Sequence, residues 1–476
     1  MKIIVGLTIL FLAFGFSTGY AASYAHPGLR DIVETPFQRF PLLTLSKAEY
    51  LKLFTTWDKE DLKDLIDQSI SHGLNLKVMS RRDLIDYLSK SPEGIKKVNL
   101  ARYGFMEASY DNGDAPMQFV RRTKKGKEIW SPNCFLCHAG NINGKPFIGQ
   151  PNSEVDISSF VEDTMKLRVG KIAAAASLKV TPCYPFGRVK GANNAACIVA
   201  YNMMIRNKHL DRSLIINNVG RIYNFDEDVP PWWNIKRKKR MYWDGNSPIH
   251  KKSLMGLTLA PENSGDLIRS WDGKFVNILS YIRSLPAPPK YPGTVNASLS
   301  IKGEKLFIKT CAKCHGKYGA SQRYPEKVID HEKVGTDSAR LKLTPSNKFL
   351  KVFKNSWIGD YGKLDLWVER KGFIAPALNG VWATGPYFHN GSVPTLYGVL
   401  FPEERPDIWK NHGVYDLVKI GKKFDEVKKI PKKLSNWKKR FYVNTAVLGK
   451  GNSGHDMGKE LSKDQRLAIL EYLKTL

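Results

Sequence analysis

Cys134-Phe135-Leu136-Cys137-His138 and Cys311-Ala312-Lys313-Cys314-His315 are the stretches of this chain whose residue types and spacing carry chemistry. Each is a C-x-x-C-H string, the pattern by which c-type haem is attached. The two thiols add across the porphyrin vinyl groups, and the adjacent His places an imidazole nitrogen on the iron. The chain holds only six Cys and ten His in 476 residues, so two such strings do not arise from composition. The sequence therefore implies two covalently bound haem c groups, with Cys134, Cys137, Cys311 and Cys314 as attachment points and His138 and His315 as proximal ligands. Zinc half-sites and redox dithiols also use Cys-x-x-Cys. A shared zinc site would have to join pairs at 134 and 311, and it leaves the His after each pair unexplained.

The elements that must position these strings read as helices. Gly303 to Thr310 forms a helical run leading straight into the second motif. The chain ends on a helix capped by Ser462, with Leu467, Ile469, Leu470 and Leu473 apolar. Phe275, Ile278, Leu279, Ile282 and Leu285 recur at the same helical spacing. Pro286, Pro288, Pro289 and Pro292 then break the helix. Motif, irregular middle and closing helix thus occur twice in the same order, a weak internal repeat. The expected fold is mainly α: two tandem cytochrome c-like haem domains, 116–285 and 298–476, joined by a Pro-rich linker, 286–297. An N-terminal helical extension, 23–115, precedes them. In it Ser46 and Glu49 form a capping box, and a second amphipathic stretch runs from Arg82 to Leu88. No strand pattern is sustained.

Residues 1–22 have a Lys after the first Met, an apolar run from Ile3 to Phe16 and small residues up to Ala22. That is the plan of a secretory signal peptide, and no later apolar run is long enough to span a bilayer. A periplasmic protein with no transmembrane span in its mature chain is expected. In that compartment Cys183 and Cys197 either pair as a disulfide, the reading the compartment favours, or stay as two free buried thiols. Lys and Arg number 74 against 45 Asp and Glu, a formal net charge of +29. Nucleic acid does not suit an exported haem protein, so the charge points to an acidic redox partner, an anionic envelope surface or an acidic medium. The basic run from Lys419 to Arg440 reads as a solvated face.

The stretch Gly385-Pro386-Tyr387-Phe388-His389-Asn390-Gly391-Ser392-Val393-Pro394-Thr395-Leu396 resembles the second-domain motif of bacterial di-haem cytochrome c peroxidases. The methylamine-utilisation di-haem enzyme has a similar string. Cys134 through Lys145, the Pro230-Pro231-Trp232-Trp233 cluster and Gly451-Asn452-Ser453-Gly454-His455 look like a neighbouring branch that includes the di-haem rubber oxygenases. The resemblance covers roughly Pro116 to the C-terminus. It implies one low-spin, six-coordinate haem and one reactive haem. Peroxidase members place a Met or Tyr ligand after the Phe-His-Asn-Gly motif; here Tyr397 to Pro406 offers Glu403 and Glu404 but no Met or His. That departure makes His455 the leading candidate for the sixth position on the second iron, as the late His of the rubber-oxygenase-like branch implies. Met457 and His389 are the alternatives.

The remaining candidates carry two readings each. His389 either ligates or bonds a propionate or backbone group beside the cofactor. Trp232, Trp233, Tyr242 and Trp243 either wall the distal pocket of the first haem, relay electrons between the haems, or pack with neighbouring cations. Glu162 and Asp163 are either proton donors or surface acids. Met106, Met117, Met165, Met203, Met204 and Met241 are available to the first haem, but none stands out as its distal ligand. His72, His209, His250, His331 and His412 read as surface or polar-core residues. The expected activity is peroxide reduction, or dioxygen activation, at the first haem with electrons relayed by the second. Competing with it are a plain electron-transfer cytochrome with both irons six-coordinate and a dioxygenase cleaving an apolar substrate.

Overall fold

The computed structural model describes residues 25–58, 61, 65, 92–142, 144–288, 290–320, 322–343, 347–366 and 371–476. The signal-like segment 1–22, His72 and the stretch Arg82–Leu88 lie outside the described residues. The chain is mainly helical, with short antiparallel sheets. In the first half run α1 (Pro27–Glu34), α2 (Lys47–Lys52), α3 (Pro92–Tyr103), α4 (Phe135–His138), α5 (Ile157–Val169), α6 (Ala195–Met204) and α7 (Asp272–Ser284). In the second half run α8 (Ala297–Thr310), α9 (Ala312–His315), α10 (Asn347–Asn355) and α11 (Lys463–Leu473).

Both ends of α11 follow from the sequence. The Ser462 side chain accepts from the Gln465 N–H while Gln465 reaches back, a complete capping box, and Ile469, Leu470 and Leu473 are buried. α11 crosses α8, where Phe307 packs on Tyr472 with ring centres 5.3 Å apart. α8 then delivers the chain into α9, which carries the second motif. The Ser46–Glu49 box likewise caps α2.

The closing helix of the first half has a partner that sequence did not assign to it. α1 begins on Pro27, with the His26 ring accepting from Gly28 N at 3.0 Å, and buries Leu29, Ile32 and Val33. It lies across α7. A Cβ on Gly28 would stand 2.1 Å from the Asn277 carbonyl oxygen, so only glycine permits that approach. The segment expected to be an extension outside the first unit therefore supplies half of that unit's helix pair. No spacing signal could reveal this, because the two helices are separated by the whole stretch from residue 34 to residue 272.

Strands are more frequent than the sequence suggests. β1 (Leu45–Ser46), β2 (Phe119–Lys124) and β3 (Lys127–Pro132) form one sheet in the order β1-β3-β2. Lys125 and Gly126, both at positive φ, turn β2 into β3, as a two-residue hairpin requires. β4 (Ala139–Ile142) and β5 (Lys145–Ile148) fold back directly after the first motif. β6 (Ile408–Asp416) pairs with β7 (Gly421–Glu426) and β8 (Tyr442–Asn444). The basic run from Lys419 is thus only partly a solvated face. Lys428, Lys429, Lys432 and Lys433 are exposed, whereas Trp437 and Arg440 are buried and Lys422 pairs with Glu154. Interior carboxylates recruit these cations, and that pairing is invisible in a run of like charges. Among the described residues no helix is long and apolar enough to cross a membrane.

Candidate haem sites

The second motif opens onto a mostly apolar cavity lined by Cys311, Cys314, His315, Phe388, His389 and His455 among others. His315 Nδ1 lies 2.9 Å from the Pro376 carbonyl oxygen. A carbonyl only accepts, so that nitrogen carries the hydrogen and Nε2 keeps its lone pair. The His455 ring faces the His315 ring, with centres 5.9 Å apart. Two imidazoles that share one metal at roughly 2 Å from each nitrogen have ring centres about 6 Å apart. Burial lowers the pKa of His315, and burial with His315 and Arg405 nearby lowers that of His455 to about 4. Both rings are neutral and able to ligate. Cavity, thiols and facing imidazoles fit a haem c.

His455 is held there at a backbone cost. Its φ is +53°, in the left-handed region, and that of neighbouring Phe388 is +68°. The loop is pinned by His455 N–H donating to Val334 O at 2.7 Å and by Arg405 Nη1 donating to the Asn452 and Gly454 carbonyls at 2.7 Å each. Arg405 also lies over Phe388, 4.9 Å from its ring centre. Sequence reasoning missed Arg405, since an Arg that serves only backbone carbonyls has no motif.

At the first motif, Phe135, Leu136, Ala139 and Gly140 are buried, while Cys134, Cys137 and His138 are the half-exposed members of that run. His138 is turned toward the Pro230 carbonyl, in looser geometry than His315 toward Pro376. Burial lowers its pKa to about 3, so this ring too is neutral. Burial pushes the Cys134 and Cys137 thiols up to about 12. No three His, Cys, Asp or Glu side chains among the described residues cluster as a metal site would. Cys183 and Cys197 form a disulfide, with Cα atoms 5.8 Å apart.

The two Trp residues divide between the motifs. Trp232 stacks on His138, ring centres 4.5 Å apart and planes 22° apart. Its placement follows from a hydrogen-bond chain: Gly149 N–H donates to His138 O, and Trp232 N–H donates to Gly149 O, each at 2.8 Å. Trp232 therefore lies against the His138 imidazole. Trp233 reaches the other half, its Nε1 donating to Asn379 O at 2.7 Å, and Asn234 Nδ2 donates to Ala377 O at 2.9 Å. Asn379 and Ala377 line the second cavity, next to the Pro376 that orients His315. Trp243 lines that cavity too, while Tyr242 donates to Ser253 O.

His389 lies in the second cavity wall, stacked on Phe373 at 4.2 Å between centres. Its ring is engaged by the Asp337 backbone, and burial with Arg340 and Lys450 nearby lowers its pKa to about 3. Met457 lines the cavity near its mouth. Glu162 and Asp163 are not surface acids. Both are buried, Glu162 against Arg440 and Tyr184 and Asp163 against Arg102 and Lys166. Glu162 accepts from Tyr184, Asn436 and Arg440, none of them in either motif, so its carboxylate braces α5. Elsewhere, His209 is exposed, His250 caps a 3-10 turn, His331 bonds Thr336 O and His412 pairs with Asp425.

A family comparison bears on part of the second half. Residues 372–410 match the RoxA-like, cytochrome c-like family. That segment holds Pro376, Phe388 and His389 of the cavity wall. Two curated relatives come from Sinorhizobium fredii. The uncharacterized protein y4iM is 27% identical over 223 residues, 41% of this chain and 49% of its own length. The uncharacterized protein y4iJ is 28% identical over 255 residues, 40% of this chain and 41% of its own length. The chain thus matches less than half the length of either. Among solved structures, a MauG-like protein associated with microbial copper homeostasis covers 60% of this chain and 89% of its own, at 14% identity and a TM-score of 0.28. A superposition at that score carries no weight here.

Proposed function

We propose that this chain is an exported di-haem c-type cytochrome oxidoreductase of the cytochrome c peroxidase-like superfamily, with two tandem cytochrome c-like units. The observation that carries the reading is His455 facing His315 across an apolar cavity at 5.9 Å. Haem c at both motifs supplies electron relay at the second and reduction of peroxide or dioxygen at the first. His315 and His455 would hold the second group from both faces, fixed by Pro376 and by the Arg405-pinned loop. His138 would hold the first from one face, with Trp232 fixing its ring plane. Trp232 on His138 and the adjoining Trp233, bonded to Asn379 of the second cavity wall, lie between the two motifs. An acidic electron-donor protein suits the basic exterior.

Low-temperature EPR of the purified oxidised protein, with and without hydrogen peroxide, tests this. One high-spin and one low-spin ferric signal are expected, with the high-spin signal lost on adding peroxide. Two low-spin signals indifferent to peroxide, before and after half-reduction, overturn the enzymatic reading and leave an electron carrier.

A further inference from the structure

Far from either motif in sequence, Leu214, Ile215 and Ile216 stand out of the surface at 103%, 81% and 62% exposure. Three consecutive aliphatics in that state are a contiguous apolar tip, which a protein in water does not keep without use. The tip is built rather than frayed. Ser213 N–H donates to Ile205 O at 3.0 Å and Asn217 N–H to Met204 O at 2.8 Å, so both ends of the triad are tied to the end of α6. The Asn217 amide also bonds the Arg206 carbonyl, and Ile215 N–H is held by Ser213 Oγ at 3.1 Å.

Beside the tip lies an open basin lined by Arg39, Arg122, Lys124 and Arg212, with Glu262 and Asp211 as its acids. Four cations face two carboxylates there. Glu262 is shared by Arg122 and Lys124, at 2.8 Å each, and among the described residues neither Arg39 nor Arg212 has a carboxylate in ion-pair reach. Basin and tip are one unit. Arg212 lines the basin two residues before Leu214, and buried Arg206, at the neck of the tip, donates to the Ala260 and Asn263 carbonyls behind the basin at 2.9 Å each.

We infer that the Leu214–Ile216 tip inserts into the surface of an anionic lipid bilayer while the adjacent Arg39–Arg122–Lys124–Arg212 basin receives an acidic headgroup. A convex tip of bare aliphatics gains little from a flat protein surface, which cannot enclose it. A fluid apolar medium encloses it completely. The excess cations beside it match a negative headgroup layer, in keeping with the +29 charge of the chain.

The test is co-sedimentation of the full haem-loaded protein with vesicles of phosphatidylcholine containing roughly a third phosphatidylglycerol, against phosphatidylcholine alone. Binding is expected to the anionic vesicles and to weaken with salt. Combined Leu214→Ser, Ile215→Ser and Ile216→Ser is expected to weaken it about tenfold or more, and Lys124→Ala with Arg212→Ala to weaken it as well. Unchanged haem absorbance shows that each exposed-residue variant is folded. Absence of binding to anionic vesicles, equal binding to neutral ones, or undiminished binding by the triple-serine variant overturns the inference. None of these results bears on the EPR test of the haem centres.

Discussion

Gly303 meets α11 so closely that a Cβ on it would lie 1.9 Å from the carbonyl oxygen of Ala468. The first and last helices of the second half thus touch backbone to backbone, as Gly28 and Asn277 do in the first half. Gly303→Val is expected to spread α8 and α11 and cost about 1–3 kcal/mol, the usual range for overpacking. Denaturant titration of the haem-loaded protein measures it. Gly273→Ala in α7, where a Cβ meets nothing within 4 Å, serves as the control and is expected to be neutral or stabilising.

His455→Ala is expected to convert the low-spin signal of the second centre to high spin, and added imidazole to restore it. His389→Ala, which removes a ring stacked on Phe373, is expected to leave the low-spin signal in place. EPR on both variants separates the two histidines, and an unchanged His455→Ala spectrum would mean that another residue holds the sixth position.

Trp233→Phe keeps the apolar ring and deletes the donor that Asn379 O receives at 2.7 Å. That carbonyl keeps only the longer bond from Asn234 Nδ2, at 3.4 Å, and loss of the stronger donor costs about 1 kcal/mol. Stopped-flow traces of electron exchange between the centres are expected to slow, with both optical spectra unchanged.

Arg340 ties the halves together from inside, pairing with Glu227 and, at 2.9 Å, with Asp244. Its loss removes a cation from beside two buried carboxylates. Arg340→Ala is expected to destabilise by about 3–5 kcal/mol, measured by chemical denaturation. Arg121→Ala, which breaks only an exposed pair with Glu128, is expected to cost no more than about 1 kcal/mol.

Asp228 lines the second cavity, and burial raises its pKa to about 8 against the pull of Lys450 and Lys422. Between about pH 4, where the unfolded carboxyl titrates, and pH 8 the folded state holds a proton that the unfolded state has released. Stability therefore falls as pH rises through that window. Melting temperatures of Asp228→Asn against the parent are expected to show less decline between pH 5 and pH 8.

Signals that are local survived the passage from sequence to structure. The capping boxes at Ser46 and Ser462, the run into Cys311 and the spacing of Phe275 to Ile282 each depend on a few neighbouring residues. The sequence singles out His455 by its Gly-rich loop before the closing helix, and the structure sets its ring 5.9 Å from that of His315. What stayed hidden is non-local. Glu162 reads as a surface acid until Arg440 arrives from the far end of the chain. Trp232 gives no sign of its neighbour until Gly149 hangs it over His138. The β2–β3 hairpin escaped notice because its exposed faces are charged and its strands are six residues long.

The pairing of α1 with α7 decides where this chain can be cut. A fragment starting at residue 116 would keep the first motif and its attachment thiols but lose the cover over Phe275, Ile278 and Ile282, leaving a greasy stripe that clumps. A first-half fragment that keeps that cover has to include the helix from Pro27, so the clasp of α1 on α7 sets the upstream limit for trimming the molecule.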